Sequence, residues 1–312
     1  MPRSLAMEIL SALASAHRAG SHRGEDAEIH ERDFDVDDFE LLEAAGPFEV
    51  EVETGGPPAV HASGPQWALD NLSVEQGGDR LLIRCDGECD GDVRVSVTVR
   101  NLRAVRSSGS GEMSIDRVAG GVFDCTSSGS GDLSIGEAKV ERLNLSAAGS
   151  ADIRIDQVRA TDFEASLVGS GDLSIDAIDS AEFKLTINGS GDARVEEFCG
   201  EGFTAVLTGS GDVAIGSLEA RSVHCSIYGS GDFCIDEGEA VDARLDGSGS
   251  GDMSVEGMAL REATISVCGS GDISACVSER AEVAVMGSGD VAVSGGAKCS
   301  VRGSGSGEVR CS

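Results

Sequence analysis

From Phe48 onward, apolar and polar residues alternate with a period of two. The runs "FEVEVET", "DRLLIRC" and "DVRVSVTVRNL" put every second side chain on one face, and each is bounded by Gly, Pro or Asp. That is the pattern of half-buried strands. Further along, the alternation settles into one unit. In "GSGDLSIDAIDSAEFKLTIN" (169–188), Leu173 and Ile175 alternate with polar residues, as do Phe183, Leu185 and Ile187, and Ile178 forms an apolar corner between them. The pattern predicts two short strands per unit. The same columns hold Leu133, Ile135, Ala138, Leu143, Leu145 and Ala147 in one unit and Val213, Ile215, Leu218, Val223, Cys225 and Ile227 in another. No column has a helical period.

The units are evenly spaced. Their first glycines fall at Gly109, Gly129, Gly149, Gly169, Gly189, Gly209, Gly229, Gly249, Gly269, Gly287 and Gly305, a period of 20 eight times and then 18 twice. A fixed period of this kind marks a solenoid. Strands in register at a constant period pair in parallel, and parallel crossovers are right-handed. The expected fold is an all-β, right-handed parallel β-helix of about 20-residue coils, rising roughly 4.8 Å per coil and about 50 Å over the repeat. Three regions follow: residues 1–46, a short helix on Leu5, Ile9, Leu10 and Leu13 followed by an acidic tail or linker; 47–106, strand-rich opening coils; and 107–312, the repeat.

The unit begins Gly-Ser-Gly-Asp. The first Gly is present in all eleven copies, which predicts positive φ, whereas the second is replaced once, by Ala151. A serine follows the first Gly in every copy, Ser110 to Ser306, a ladder of hydroxyls placed to bond between turns. The turns lead into strands rather than a helix, and a lysine is lacking, so a phosphate loop is excluded. The fourth position holds Glu112, Asp132, Asp152, Asp172, Asp192, Asp212, Asp232, Asp252, Asp272, Asp290 and Glu308. Stacked about 4.8 Å apart, neighbouring carboxylates repel by roughly 0.9 kcal/mol at a water-like dielectric. Two compensations are open. Each carboxylate accepts turn N–H groups while facing water, or calcium binds between coils along Asp132 to Asp290. Calcium-binding nonapeptide solenoids differ in motif and period.

Charge narrows the function. With 55 acidic against 24 basic residues the net charge is −31, which excludes nucleic acid as a partner. Aromatics are only 4% of the chain, so the expected core is built of Val, Ile, Leu, Ala and Met. The ten cysteines follow no metal or disulfide-framework spacing; Cys85 and Cys89 form a CxxxC, and Cys125 and Cys225 occupy apolar columns as small hydrophobes. No stretch is long and apolar enough to span a bilayer. No catalytic residue is read: His17, His22, His30, His61 and His224 are scattered, and residues 109–269 carry no inserted loop from which a polysaccharide-acting enzyme would build a cleft. The outward columns are Ser114, Ser134, Ser174, Ser254 and Ser274 on the first strand, and Thr126, Ser146, Ser166, Thr186, Ser226 and Ser266 on the second. These flat hydroxyl faces suit weak, multivalent contacts or serve simply to keep the surface soluble.

"FEVEVET", "LDNLSVEQGGDRLLIRC", "VRVSVTVRNLRAVRSSGSGEMSI" and the GSGD ladder together resemble the GIN-domain family of bacterial, autotransporter-like adhesin heads over roughly residues 47–312. The resemblance implies a β-helix at the cell envelope or surface with an adhesive role and no catalytic residues. The expected function is that of a non-enzymatic adhesin-like interaction protein for a surface, glycan or protein partner. The alternative is an intracellular, cytoplasmic scaffold that self-associates end to end.

Overall fold

The computed structural model describes residues 28–87, 89 and 93–312. Within them the chain is almost entirely β, and twenty strands join in one continuous sheet. The helix expected on Leu5 to Leu13 lies outside the described residues.

The acid-rich run read as a tail or linker folds into the sheet instead, as β1 (Ile29–Phe34) and β2 (Leu41–Ala45). Its alternation is short but real: Leu42 and Ala44 are buried between exposed or half-buried neighbours. The chain continues through β3 (Glu49–Thr54), β4 (Ala59–Pro65), the one-turn helix α1 (Gln66–Leu69), β5 (Leu72–Gly77), β6 (Arg80–Cys85), β7 (Arg94–Val99) and β8 (Ala104–Gly109). These opening coils do not stack in chain order. β2 lies between β6 and β8, and β3 lies between β7 and the first repeat strand, so an early coil is sandwiched between two later ones. The outer strands β1, β4 and β5 pair antiparallel, and α1 buries Ala68 and Leu69.

The repeat runs from β9 (Met113–Gly129) and β10 (Leu133–Gly149) through β11 (Ile153–Gly169), β12 (Leu173–Gly189), β13 (Ala193–Gly209), β14 (Val213–Gly229), β15 (Phe233–Gly249) and β16 (Met253–Gly269). Each coil is one 17-residue extended segment rather than two short strands, because its corners bend without breaking the ladder. Between β11 and β12 the pairing skips Asp156 with Asp176, and again Thr161 with Ala181. There the inward step lengthens from two residues to three, from Ile175 to Ile178 and from Ser180 to Phe183. With the glycine turn, these two corners make three bends per coil. The shift to an 18-residue period falls at the same places. β17 (Ile273–Val285) stays in register with β16 along both straight runs and slips only between Val255 and Ala259 and between Leu260 and Glu262.

The core is not purely aliphatic. Phe163 and Phe183 stack with ring centroids 4.7 Å apart, and Phe198, Phe203 and Phe233 continue the stack at 5.5–6.5 Å. Phe163, Phe183 and Phe203 share one column at 20-residue spacing, and Phe198 and Phe233 reach them from other inward columns. The two ends are held covalently. Cys85 bonds Cys89 in the turn after β6, with Cys89 buried near α1. At the opposite end Cys299 of β19 (Lys298–Gly303) bonds Cys311 of β20 (Val309–Cys311). These two stand in the columns of Ala281 and Val293, both inward, so the bond crosses the interior of the last described coil. No disulfide-framework spacing marks this pair in the sequence, because coiling juxtaposes residues from opposite sides of a turn.

Phe183→Ala removes the ring at the centre of this stack. It is expected to lower stability by about 3–5 kcal/mol, read as a lower midpoint in urea; an unchanged midpoint would show that the stack contributes nothing beyond its neighbours.

Candidate functional site

The one motif repeated along the whole rod is the Gly-Ser-Gly-Asp corner. Its first glycine adopts positive φ from Gly109 to Gly269, +151° at Gly189 for example, a conformation cheap only without a Cβ. A second reason is spatial. A Cβ on Gly189 would collide with the backbone of Gly169 one coil below, and the same crowding meets Gly287, whose φ is not positive. Ala151 occupies the second glycine column, buried and without positive φ, so that column is limited by space alone.

Serine acts through its backbone. Ser190 N–H donates to the Gly169 carbonyl at 2.9 Å, and Ser170, Ser210, Ser230 and Ser250 repeat the bond. The expected hydroxyl ladder is largely replaced by these amides; a hydroxyl contact of this kind joins Ser306 to Ser288 at 3.3 Å.

The carboxylate ladder is compensated by the coil above. The Asp152 N–H donates to Asp132 Oδ1 at 3.0 Å, and the same bond recurs from Asp172, Asp192, Asp212, Asp232, Asp252, Asp272 and Asp290 at 2.7–2.9 Å, ending with Glu308 N–H on Asp290 Oδ1. Each carboxylate therefore stays exposed yet fixes the chain to its neighbour. Sequence reasoning anticipated an amide partner but not that it belongs to the next coil. Arg154 and Arg194 serve the corners instead, pairing with Asp156, Asp176 and Glu196. Among the described residues, no three His, Cys, Asp or Glu side chains are placed together as metal ligands.

Beside the ladder runs a strip with little charge. Ser128, Ala148, Val168, Asn188, Thr208, Tyr228, Ser248, Cys268 and Met286 stack as one outward column next to the glycines, with Val168, Tyr228 and Met286 each more than half exposed. The next outward column is Thr126, Ser146, Ser166, Thr186, Val206, Ser226, Asp246 and Ser266, charged only at Asp246. Ser226 is buried rather than displayed. His224 Nε2 lies 3.3 Å from the Ser226 hydroxyl and 3.4 Å from Asp246. Both partners meet one ring nitrogen, so the histidine cannot relay a proton between them as a hydrolytic triad requires. His61 contacts Asp33 at 2.8 Å on the opening strands, and His17 and His22 lie outside the described residues.

The interior thiols are inert. Burial pushes Cys125 up to about 12 and moves Cys225 further the same way, leaving no thiolate to react near neutral pH.

The family described as "Putative auto-transporter adhesin, head GIN domain" matches the chain twice, at residues 38–215 and 196–297. No curated protein matches. Among solved structures, a putative adhesin from Parabacteroides distasonis shares 16% identity over 92% of this chain and 98% of its own, with a TM-score of 0.48. A putative adhesin from Parabacteroides merdae shares 12% over 92% and 97%, with a TM-score of 0.43. A putative lipid binding protein, also from Parabacteroides distasonis, shares 16% over 92% and 98%, with a TM-score of 0.38.

Substitution at Asp192 separates the roles of the ladder. Asp192→Asn keeps an acceptor for Asp212 N–H and relieves repulsion, so its melting midpoint should equal or exceed the wild type; Asp192→Ala should cost about 1 kcal/mol. Equal losses from the two variants would rule out the hydrogen bond as the ladder's contribution. The same wild-type melt in chelator and in millimolar calcium is expected to superimpose.

Proposed function

This chain belongs to the family described as "Putative auto-transporter adhesin, head GIN domain", and from that premise we propose that it is a non-catalytic binding protein working at the cell envelope or surface. The observation that carries this reading is the strip of Ser, Thr, Ala, Val, Tyr and Met beside the glycine corner. In a chain of net charge −31, a continuous line of exposed uncharged side chains is where a partner can approach without displacing ions or meeting repulsion. Repetition at about 4.8 Å lets many weak contacts act together.

The disulfides support a location outside a reducing cytosol, where such bonds persist. They weigh against the intracellular scaffold.

Two measurements check this. Alkylation of unreduced protein from native cells should modify six thiols after unfolding, the number left free by the two disulfides; ten reactive thiols would place the chain in a reducing compartment. Native cells lacking the chain should be retained less on their growth surface under flow. The wild-type chain should restore retention, and Thr208→Glu with Tyr228→Glu should not. Equal retention with and without the chain would sink the adhesive reading.

A further inference from the structure

A groove of about 590 Å³ opens on the outer face of the first coil. In most later coils the corner carries side chains such as Glu141–Arg142, Thr161–Asp162 and Arg261–Glu262, and in one coil Gly200 and Gly202 flank Glu201. In the first coil the corner residues are Gly120, Gly121 and Val122. Neither glycine is there because of crowding: a Cβ on either would meet nothing within 4 Å. Val122, which follows them, lines the groove and is 43% exposed.

The two arginines that line the groove, Arg103 and Arg106, are already paired. Arg106 donates to Glu43 at 2.7 Å, and Arg80 holds the same carboxylate from its other side. Burial alone would raise the Glu43 carboxyl, but the hydrogen bonds and charges of the two arginines outweigh it and keep it below the usual range. Arg103 is placed similarly, 3.3 Å from Asp79 and 3.6 Å from Glu40. On the floor, Asn144 donates to Asp124 at 2.7 Å, with the Thr126 and Ser146 hydroxyls beside it. β8, which runs under the groove, is paired on both sides, by β2 and by β9, so its backbone offers nothing to an added strand. Recognition there must come from side chains.

We propose that this groove is a binding site for an uncharged sugar. Its size falls in the range of small-ligand sites, roughly a mono- or disaccharide. Its Arg–carboxylate pairs and the Asn144–Asp124 pair together leave about one negative charge and present both donors and acceptors, the complement of ring hydroxyls. Val122 and Leu41 supply apolar contact for the C–H face of the ring. An anionic ligand would need a free arginine and would meet the field of a chain of net charge −31. The inference rests on the reading of the chain as a binding protein.

The test is ligand-observed saturation-transfer NMR on the full chain. The probes are lactose, cellobiose, maltose and chitobiose as neutral sugars, with glucuronate and N-acetylneuraminate as anionic ones. At least one neutral disaccharide should bind with a dissociation constant of about 1 mM, and Ser146→Trp, which fills the groove from an exposed position, should weaken it by about tenfold or more. Asn144→Ala should weaken it as well, while Tyr228→Glu on the far part of the strip should not. Unchanged melting midpoints keep these losses separate from misfolding. No transfer from any neutral sugar, preference for the anionic ones, or undiminished binding by Ser146→Trp would overturn the site. If the sugars fail while the strip variant still loses retention under flow, the groove falls and the adhesive reading stands; if a sugar binds while retention is independent of the chain, the reverse holds.

Discussion

Every position in the repeat is stacked on its counterpart one coil away. In-register parallel coils lie about 4.8 Å apart, so a residue type is acceptable only if it tolerates its own repetition at that distance. The glycine corner is the tightest case. There the backbone of one coil passes so close to the next that no Cβ fits at Gly189 or at Gly287, and the amide of the following serine closes a bond to the glycine carbonyl below. The rest of the coil can be regular because this corner returns the chain to the same place each time.

The same rule that makes glycine obligatory makes a stacked aspartate tolerable. Like charges at this spacing repel, yet each Asp Oδ1 receives an N–H from the coil above, a charge-assisted bond of the stronger kind. Attraction and repulsion share one geometry. The ladder stays exposed and acidic, arginines gather at the corners with Asp176 and Glu196, and the neighbouring column from Ser128 to Met286 is left without charge. Charge on this rod is sorted by column, which is why a partner-facing strip can exist on so acidic a protein.

Legibility followed the period. Inward columns such as Leu173, Ile175, Ile178, Phe183, Leu185 and Ile187 were readable because twenty-residue spacing repeats the evidence for each, and all are buried. Where the period fails, so does the reading. β1 and β2 sit in an acidic run whose alternation spans only a few residues. The insertion of β2 and β3 between later strands depends on which unpaired edge each strand finds, and no local pattern encodes that. The Cys299–Cys311 bond joins columns that are distant in sequence logic but face each other across the coil. The first-coil groove had a nearby signal, the Gly120–Gly121 pair, but the carboxylate that pairs its Arg106 is Glu43, far away along the chain.

By itself the sequence determined the coil: its length, its inward columns, its glycine corner and its carboxylate ladder, all consequences of a strict repeat in which each copy constrains the next. Tertiary structure alone decided the ends and the exceptions. It set which opening strands cap the stack, which cysteines meet, which coil donates to each aspartate, and where the outer face sinks into a groove. Those are contacts between unlike residues brought together once, and a contact made once leaves no periodic trace to read.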